Sequence, residues 1–173
     1  MRSRNNSGSV FTHAREWPTI THRKLQRMEL VLWRHADAED GAPDLERRLT
    51  KKGRKQAARV AEWLLEHLPE DFVVLASPAA RAQETAEALG VKIRTVEGLA
   101  PGASVKKILQ AAGWPDGEGA VIVIGHQPDL GAAAAHICGV NAGWSVKKGG
   151  LWWFEYSHPI EVRAVISPDL LKD

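Results

Sequence analysis

The sequence predicts an α/β protein: a three-layer α/β/α sandwich with a mostly parallel central sheet and antiparallel C-terminal strands. Three observations carry this reading. Short apolar runs at residues 30–33, 72–76 and 120–124 have the near-continuous hydrophobicity of strands buried on both faces. Between them lie helical stripes, so strand and helix alternate along the chain. The chain closes on two adjacent strand-like segments, residues 151–156 and 161–166, too close together for a crossover and therefore antiparallel.

Each element follows in order. The first strand, residues 30–33, stops at the polar pair Arg34-His35, and a polar loop with Gly41 and Pro43 as breakers runs to residue 48. Leu49-Thr50 opens a helix with Thr50 as N-cap. Ala57, Val60, Ala61, Leu64, Leu65 and Leu68 form its apolar stripe, and Pro69 ends it. After the second strand, Ser77-Pro78 reads as a helix start, with Ser at the cap and Pro at the first helical position. Ala82, Thr85, Ala86 and Leu89 carry that helix to Gly90. Residues 91–96 form a short strand, 97–102 a loop, and 103–112 a helix closed by Gly113. A turn at Trp114-Pro115-Asp116-Gly117 leads into residues 120–124, the most apolar strand, and Pro128 begins a helix through Ile137. Ser157-His158-Pro159 joins the last two strands, where Trp152 and Trp153 straddle the two faces.

A chain of 173 residues, 44% hydrophobic, suits one domain with a full core. The formal net charge of +2 is unevenly placed: residues 1–27 carry +5, which leaves the body at −3. That balance gives no case for nucleic acid as a partner. No apolar run reaches the roughly 18 residues of a membrane span, so no membrane partner is expected. Cys138 is the single cysteine, which excludes an intrachain disulfide and fits a reducing, cytoplasmic location. Residues 1–27 lack an apolar stretch long enough for a secretory signal. We expect them to be a poorly packed basic extension to a domain of residues 28–173, unless Phe11, Trp17 or Ile20 dock on it. Their Arg-rich, acid-poor character also suggests an organelle transit peptide, or an artefact of start-site choice, since Met28-Glu29-Leu30 reads as a start directly before the first strand.

The chemistry collects at the strand exits. Parallel strands present their carboxyl ends along one edge, where α/β folds bind ligands. Three apolar runs deliver Arg34 and His35, Arg81, and His126 to that edge. So much positive charge in a crevice calls for an anion, and phosphate is the one expected. A neutral imidazole is a nucleophile toward phosphorus, provided that a hydrogen bond at its other nitrogen fixes the tautomer. Arg34 and Arg81 fit as bidentate donors to phosphoryl oxygens. His126 would donate opposite His35, as imidazolium once phosphate is bound. Thr85, one turn beyond Arg81, reads as a packing or helix-supporting residue. His67 and His136 lie near helix ends; His13, His22 and His158 lack ligand spacing, so neither a metal nor another cofactor is expected. Lys147-Lys148 reads as a solvated loop.

Arg34-His35-Ala36 resembles the Arg-His-Gly signature of the histidine phosphatase superfamily, the phosphoglycerate mutase-like enzymes. Ser77-Pro78-x-x-Arg81-Ala82-x-x-Thr85 and Gly125-His126 are similar to its second and third blocks. The Arg-His-Ala variant, Leu49-Thr50-x-x-Gly53-Arg54, the short chain and Gly125-His126-Gln127-Pro128 resemble the SixA-type phosphohistidine phosphatases, with residues 28 to about 167 in register. The resemblance implies a cofactor-independent hydrolase in which His35 is phosphorylated and Arg34, Arg81 and His126 complete the catalytic, phosphate-binding pocket. Ala36 departs from the usual Gly. A general acid is not evident: Glu97, Asp37 and Asp129 are candidates, with Glu97 the one we name.

That absence bears on the substrate. An alkoxide needs a proton to leave, whereas imidazole is a much weaker base. Only 44 residues separate Arg81 from His126, too few for a cap enclosing a small metabolite. The expected activity is therefore removal of a phosphoryl group from protein phosphohistidine. The alternatives are a small-molecule phosphomonoesterase or mutase using Glu97, and a non-catalytic phosphate-binding module.

Overall fold

The computed structural model describes residues 27–157 and 159–171. The expectations for residues 1–26, including His13, His22 and the docking of Phe11, Trp17 or Ile20, lie outside the described residues, as does His158. Six strands form one sheet: β1 (Met28–Arg34), β2 (Phe72–Ala76), β3 (Ile93–Thr95), β4 (Gly119–Gly125), β5 (Leu151–Tyr156) and β6 (Ile160–Ile166), in the order β3-β2-β4-β1-β5-β6. The first four in that order run parallel, and β5 and β6 are antiparallel to their neighbours. The helices are α1 (Lys51–His67), α2 (Ala80–Glu87), α3 (Val105–Ala112) and α4 (Asp129–Ile137).

Strand alternation sorts the core into two layers. Val31, Trp33, Val74, Ile122, Ile124 and Trp153 pack with Val60, Leu64, Ala82 and Ala86 of α1 and α2. Leu30, Leu32, Leu75, Val121, Val123 and Phe154 pack with Ile108 of α3 and with Leu130, Ala134 and Ile137 of α4. The three-layer sandwich expected from the sequence is the fold observed. Trp152 and Trp153 do straddle the sheet: Trp153 lies under α1 and donates Nε1–H to Glu29 at 2.9 Å, while Trp152 stacks on Trp144 at 4.5 Å. Arg27, the first described residue, has its guanidinium 2.7 Å from Glu155.

β1 and β4 are neighbours, but α1 and α4, which follow them, leave to opposite faces of the sheet. This is the topological switch point at which an open α/β sheet parts into a crevice. Thr50 caps α1 as expected, accepting from the Gly53 N–H at 2.9 Å and donating to Asp37 Oδ2 at 2.9 Å. Thr50→Ala is expected to cost about 1 kcal/mol, seen as a lower urea midpoint. An unchanged midpoint would show that the cap carries nothing. The other helix start differs from expectation: α2 begins at Ala80, with Ala79 at the cap position and no side-chain cap. Ser77 stands two residues before that position; its hydroxyl accepts from the Ala79 N–H at 3.3 Å and also meets the next strand exit.

Candidate active site

The site is built from backbone ladder outward. Arg34 pairs with Gly125 in register, and the His35 N–H donates to the Gly125 carbonyl at 3.0 Å. His35 and His126 thus leave adjacent strands at the same level, with ring centroids 5.2 Å apart. Ser77, at the exit of β2, donates its N–H to the Ile124 carbonyl, and its hydroxyl lies 2.7 Å from His126 Nε2. Three strand ends meet there.

Both imidazoles are buried, His35 at 8% exposure and His126 at 4%. His35 Nδ1 faces the Ala36 carbonyl at 2.8 Å. A carbonyl can only accept, so the proton sits on Nδ1 and the lone pair on Nε2. The Arg81 Nε–H, 3.3 Å away, donates to that lone pair. Burial pushes the His35 imidazole down to about 4, and the charges of Arg81 and Arg34 add to it. Burial, with His35 and Arg81 nearby, pushes His126 down to about 3. The free site therefore holds both rings neutral near pH 7, so His126 is not an imidazolium there.

Arg34 donates Nη1–H to the Val146 carbonyl at 2.6 Å, and burial lowers its guanidinium pKa. Its Nε and the His126 Nδ1 are buried without a hydrogen-bond partner among the described residues. The loop before β5 closes on the β1 exit: Gly149 N–H donates to the His35 carbonyl at 3.0 Å, and Arg34 N–H to Gly150 at 2.9 Å. Gly149 has φ +72°, and a Cβ there would lie 2.9 Å from Pro168 and 3.7 Å from Ala36, so glycine suits both the turn and the close approach. In that loop Lys148 pairs with Asp37 at 2.6 Å and Lys147 with Asp169 at 3.2 Å.

Four contributors escaped the sequence reading of the site. Thr85 does more than support its helix: its hydroxyl accepts from the Ala36 N–H at 3.1 Å and donates to the Arg81 carbonyl at 2.6 Å, coupling the two cationic segments. Ser77 binds His126. Asp44 pairs with Arg81 at 2.9 Å and with Arg47 at 2.9 Å, and the Arg47 charge reaches His35. The i,i+3 spacing of Asp44 and Arg47 was the one available signal.

The carboxylates separate clearly. Asp37 accepts from Lys148 and Thr50, and chiefly the Lys148 bond holds its carboxyl below the usual range. Asp129 accepts from the Gly102 and Ala103 N–H groups at 2.8 and 3.2 Å, fixing the loop before α3. Glu97 follows β3 in a 3-10 turn, is exposed, and makes no carboxylate hydrogen bond or ion pair with a described residue. Among the described residues no three His, Cys, Asp or Glu side chains converge as a metal site would require, and no helix is long and apolar enough to cross a membrane.

A neutral histidine whose Nε2 lone pair faces an arginine, at the switch point of a parallel sheet, is an arrangement suited to a phosphoryl-transfer class of α/β protein. Residues 30–100 match the model of the histidine phosphatase superfamily (branch 1). An uncharacterised protein of Picosynechococcus is 38% identical over 140 residues, covering 72% of this chain and 82% of its own length. Phosphohistidine phosphatase SixA of Escherichia coli is 33% identical over 121 residues, 64% of this chain and 74% of its own. The solved structure of the protein histidine phosphatase SixA complexed with tungstate superposes with a TM-score of 0.74 at 27% identity, over 84% of this chain and all of that one. The chain belongs to the histidine phosphatase superfamily, in its SixA-type branch, and is a phosphatase with a histidine nucleophile.

Proposed function

We propose that His35 is that nucleophile and that the substrate is phosphohistidine carried on a protein. The observation that carries this is the tautomer: Ala36 holds Nδ1–H and leaves Nε2 with a lone pair, 3.3 Å from Arg81 Nε and beside a second neutral imidazole. In the first step Nε2 attacks phosphorus while the substrate's P–N bond breaks, and the departing imidazole leaves with the electron pair, to be neutralised by a solvent proton. Arg81 and Arg34 take the phosphoryl oxygens, and His126 donates opposite His35. In the second step water attacks, the P–Nε2 bond breaks, inorganic phosphate departs, and the lone pair returns to His35.

The carboxylates support the choice of substrate. Asp37 and Asp129 are committed to structural hydrogen bonds, and Glu97 is exposed at the exit of β3. A phosphate ester without a positioned acid forgoes about 10²–10⁴ in rate, a penalty that an imidazole leaving group avoids. The stretch from Arg81 to His126 is taken up by α2, β3, α3 and β4, with no inserted cap, which suits a phosphoryl group displayed on a macromolecule. The name of the Escherichia coli relative points the same way. A cytoplasmic setting belongs to this reading.

Turnover of a phosphohistidine peptide should exceed that of sugar phosphates by about two orders of magnitude in kcat/KM. Preference for the esters would defeat the substrate assignment and point to a phosphomonoesterase or mutase in which Glu97 supplies the proton.

A further inference from the structure

Asp44 opens a 3-10 turn, Asp44–Glu46, in the long loop between β1 and α1, and none of the turn's residues is buried. It nevertheless engages the pocket's arginine more fully than any other group. Its Oδ2 accepts from Arg81 Nη2 at 2.9 Å and its carbonyl from Arg81 Nη1 at 2.6 Å. The remaining Arg81 nitrogen, Nε, is given to His35 at 3.3 Å. Every nitrogen of that guanidinium is therefore committed. Arg47 holds the other carboxylate oxygen at 2.9 Å. The Arg81 side chain is 5% exposed and that of Asp44 55%, so the pair joins a buried cation to an anion at the mouth.

A phosphoryl group on His35 needs the same donors. Two anions cannot share one guanidinium edge at full strength, because each bidentate contact uses the same N–H groups. We propose that Asp44 is a built-in competitor for the phosphoryl seat: it holds Arg81 in the free protein, yields to an incoming phosphoryl group, and by returning weakens the hold on inorganic phosphate. This rests on the reading of the pocket given above. Without such a counter-charge, two arginines and two histidines would retain the product, and product release limits turnover in many enzymes. A carboxylate on an exposed turn moves aside at small cost. It also favours doubly charged ligands, since a dianion gains about twice the Coulomb energy of the monoanion it displaces.

A purely structural Asp44 and a competing Asp44 predict opposite signs. Wild type, Asp44→Asn and Asp44→Ala are titrated with inorganic phosphate by calorimetry at low salt, with urea midpoints measured alongside. Both variants should bind phosphate roughly three- to tenfold more tightly, the range a partly exposed ion pair allows. Asp44→Glu, which keeps the charge, should stay near wild type. Unchanged or weaker binding in Asn and Ala overturns the inference, and so does tightening that Glu reproduces. If neither uncharged variant folds, Asp44 is a structural staple and the inference falls. Phosphate without affinity for the wild type would overturn the site itself, a failure distinguishable from the others.

Discussion

His35→Ala should lower turnover of a phosphohistidine peptide by roughly a thousandfold or more, the scale on which a covalent nucleophile is missed. The lost group is specific. His35 Nε2 is the atom aimed into the cluster, with its proton parked on Nδ1 by the Ala36 carbonyl at 2.8 Å. Arg34, Arg81 and His126 remain in the variant, so phosphate should still bind. The fold should also survive, since the deletion removes two side-chain hydrogen bonds, to the Ala36 carbonyl and from Arg81 Nε, each worth about 1 kcal/mol. A brief incubation with substrate gives the second readout. Wild type should acquire acid-labile, alkali-stable phosphate, and His35→Ala should not. A variant that retains a tenth of wild-type turnover, or that still becomes labelled, would remove His35 from the role.

The second large effect is loss of stability in acid. An unfolded imidazole titrates near 6.5, whereas burial pushes His35 down to about 4 and His126 to about 3. Between pH 6.5 and 4 the unfolded chain takes up protons that the folded pocket refuses, so stability falls with falling pH across that window. It is fully present above about 6.5. His35 alone accounts for about 3 kcal/mol at the low end, a large part of a domain's usual 5–15 kcal/mol. Below about pH 4 the lowered carboxyls of Asp37 and Asp44 add a loss of the same sign. Urea midpoints from pH 7.5 to 4 should drop steeply for wild type and more gently for His126→Asn. Parallel curves would mean that the buried rings are not the proton-linked groups. A neutral His35 also keeps its lone pair well below pH 7, so any acid limb in activity above pH 5 belongs to the substrate or to the fold.

The architecture was legible because the strands are apolar on both faces and stop abruptly. Val31 and Trp33 against Leu30 and Leu32 assign β1 to two different helix layers without any knowledge of the neighbours. The same abruptness exposed the pair Arg34-His35 and, in turn, His126, the first polar side chains after their buried runs. Ser77 was only half legible: its local bond from the Ala79 N–H is the kind a cap pattern suggests, whereas its second partner, His126, arrives from β4 and leaves no local mark. Asp44 and Arg47 were out of reach for a different reason. The contact of Asp44 with Arg81, on which Arg47 leans, depends on how a twelve-residue polar loop folds back over α2, and no periodicity records that path. Thr85 lay between the two cases: its place one turn from Arg81 was visible, but not the Ala36 N–H that it receives.

The proposed nucleophile and its partner ring are spaced by a ladder of main-chain bonds between β1 and β4, two strands whose side chains are locked into the interior. The segments that would meet a macromolecular substrate, by contrast, are the loop bearing Asp44 and the lysine-containing stretch before β5. Reactivity and recognition are thereby assigned to different parts, joined where Asp44 meets Arg81 and where the loop before β5 bonds Arg34 and His35. Exchanging exposed charges in either segment, at positions other than Asp44, should retune which phosphoprotein is accepted while the main-chain ladder keeps the two rings at their spacing, which makes this scaffold a convenient chassis for redirecting dephosphorylation.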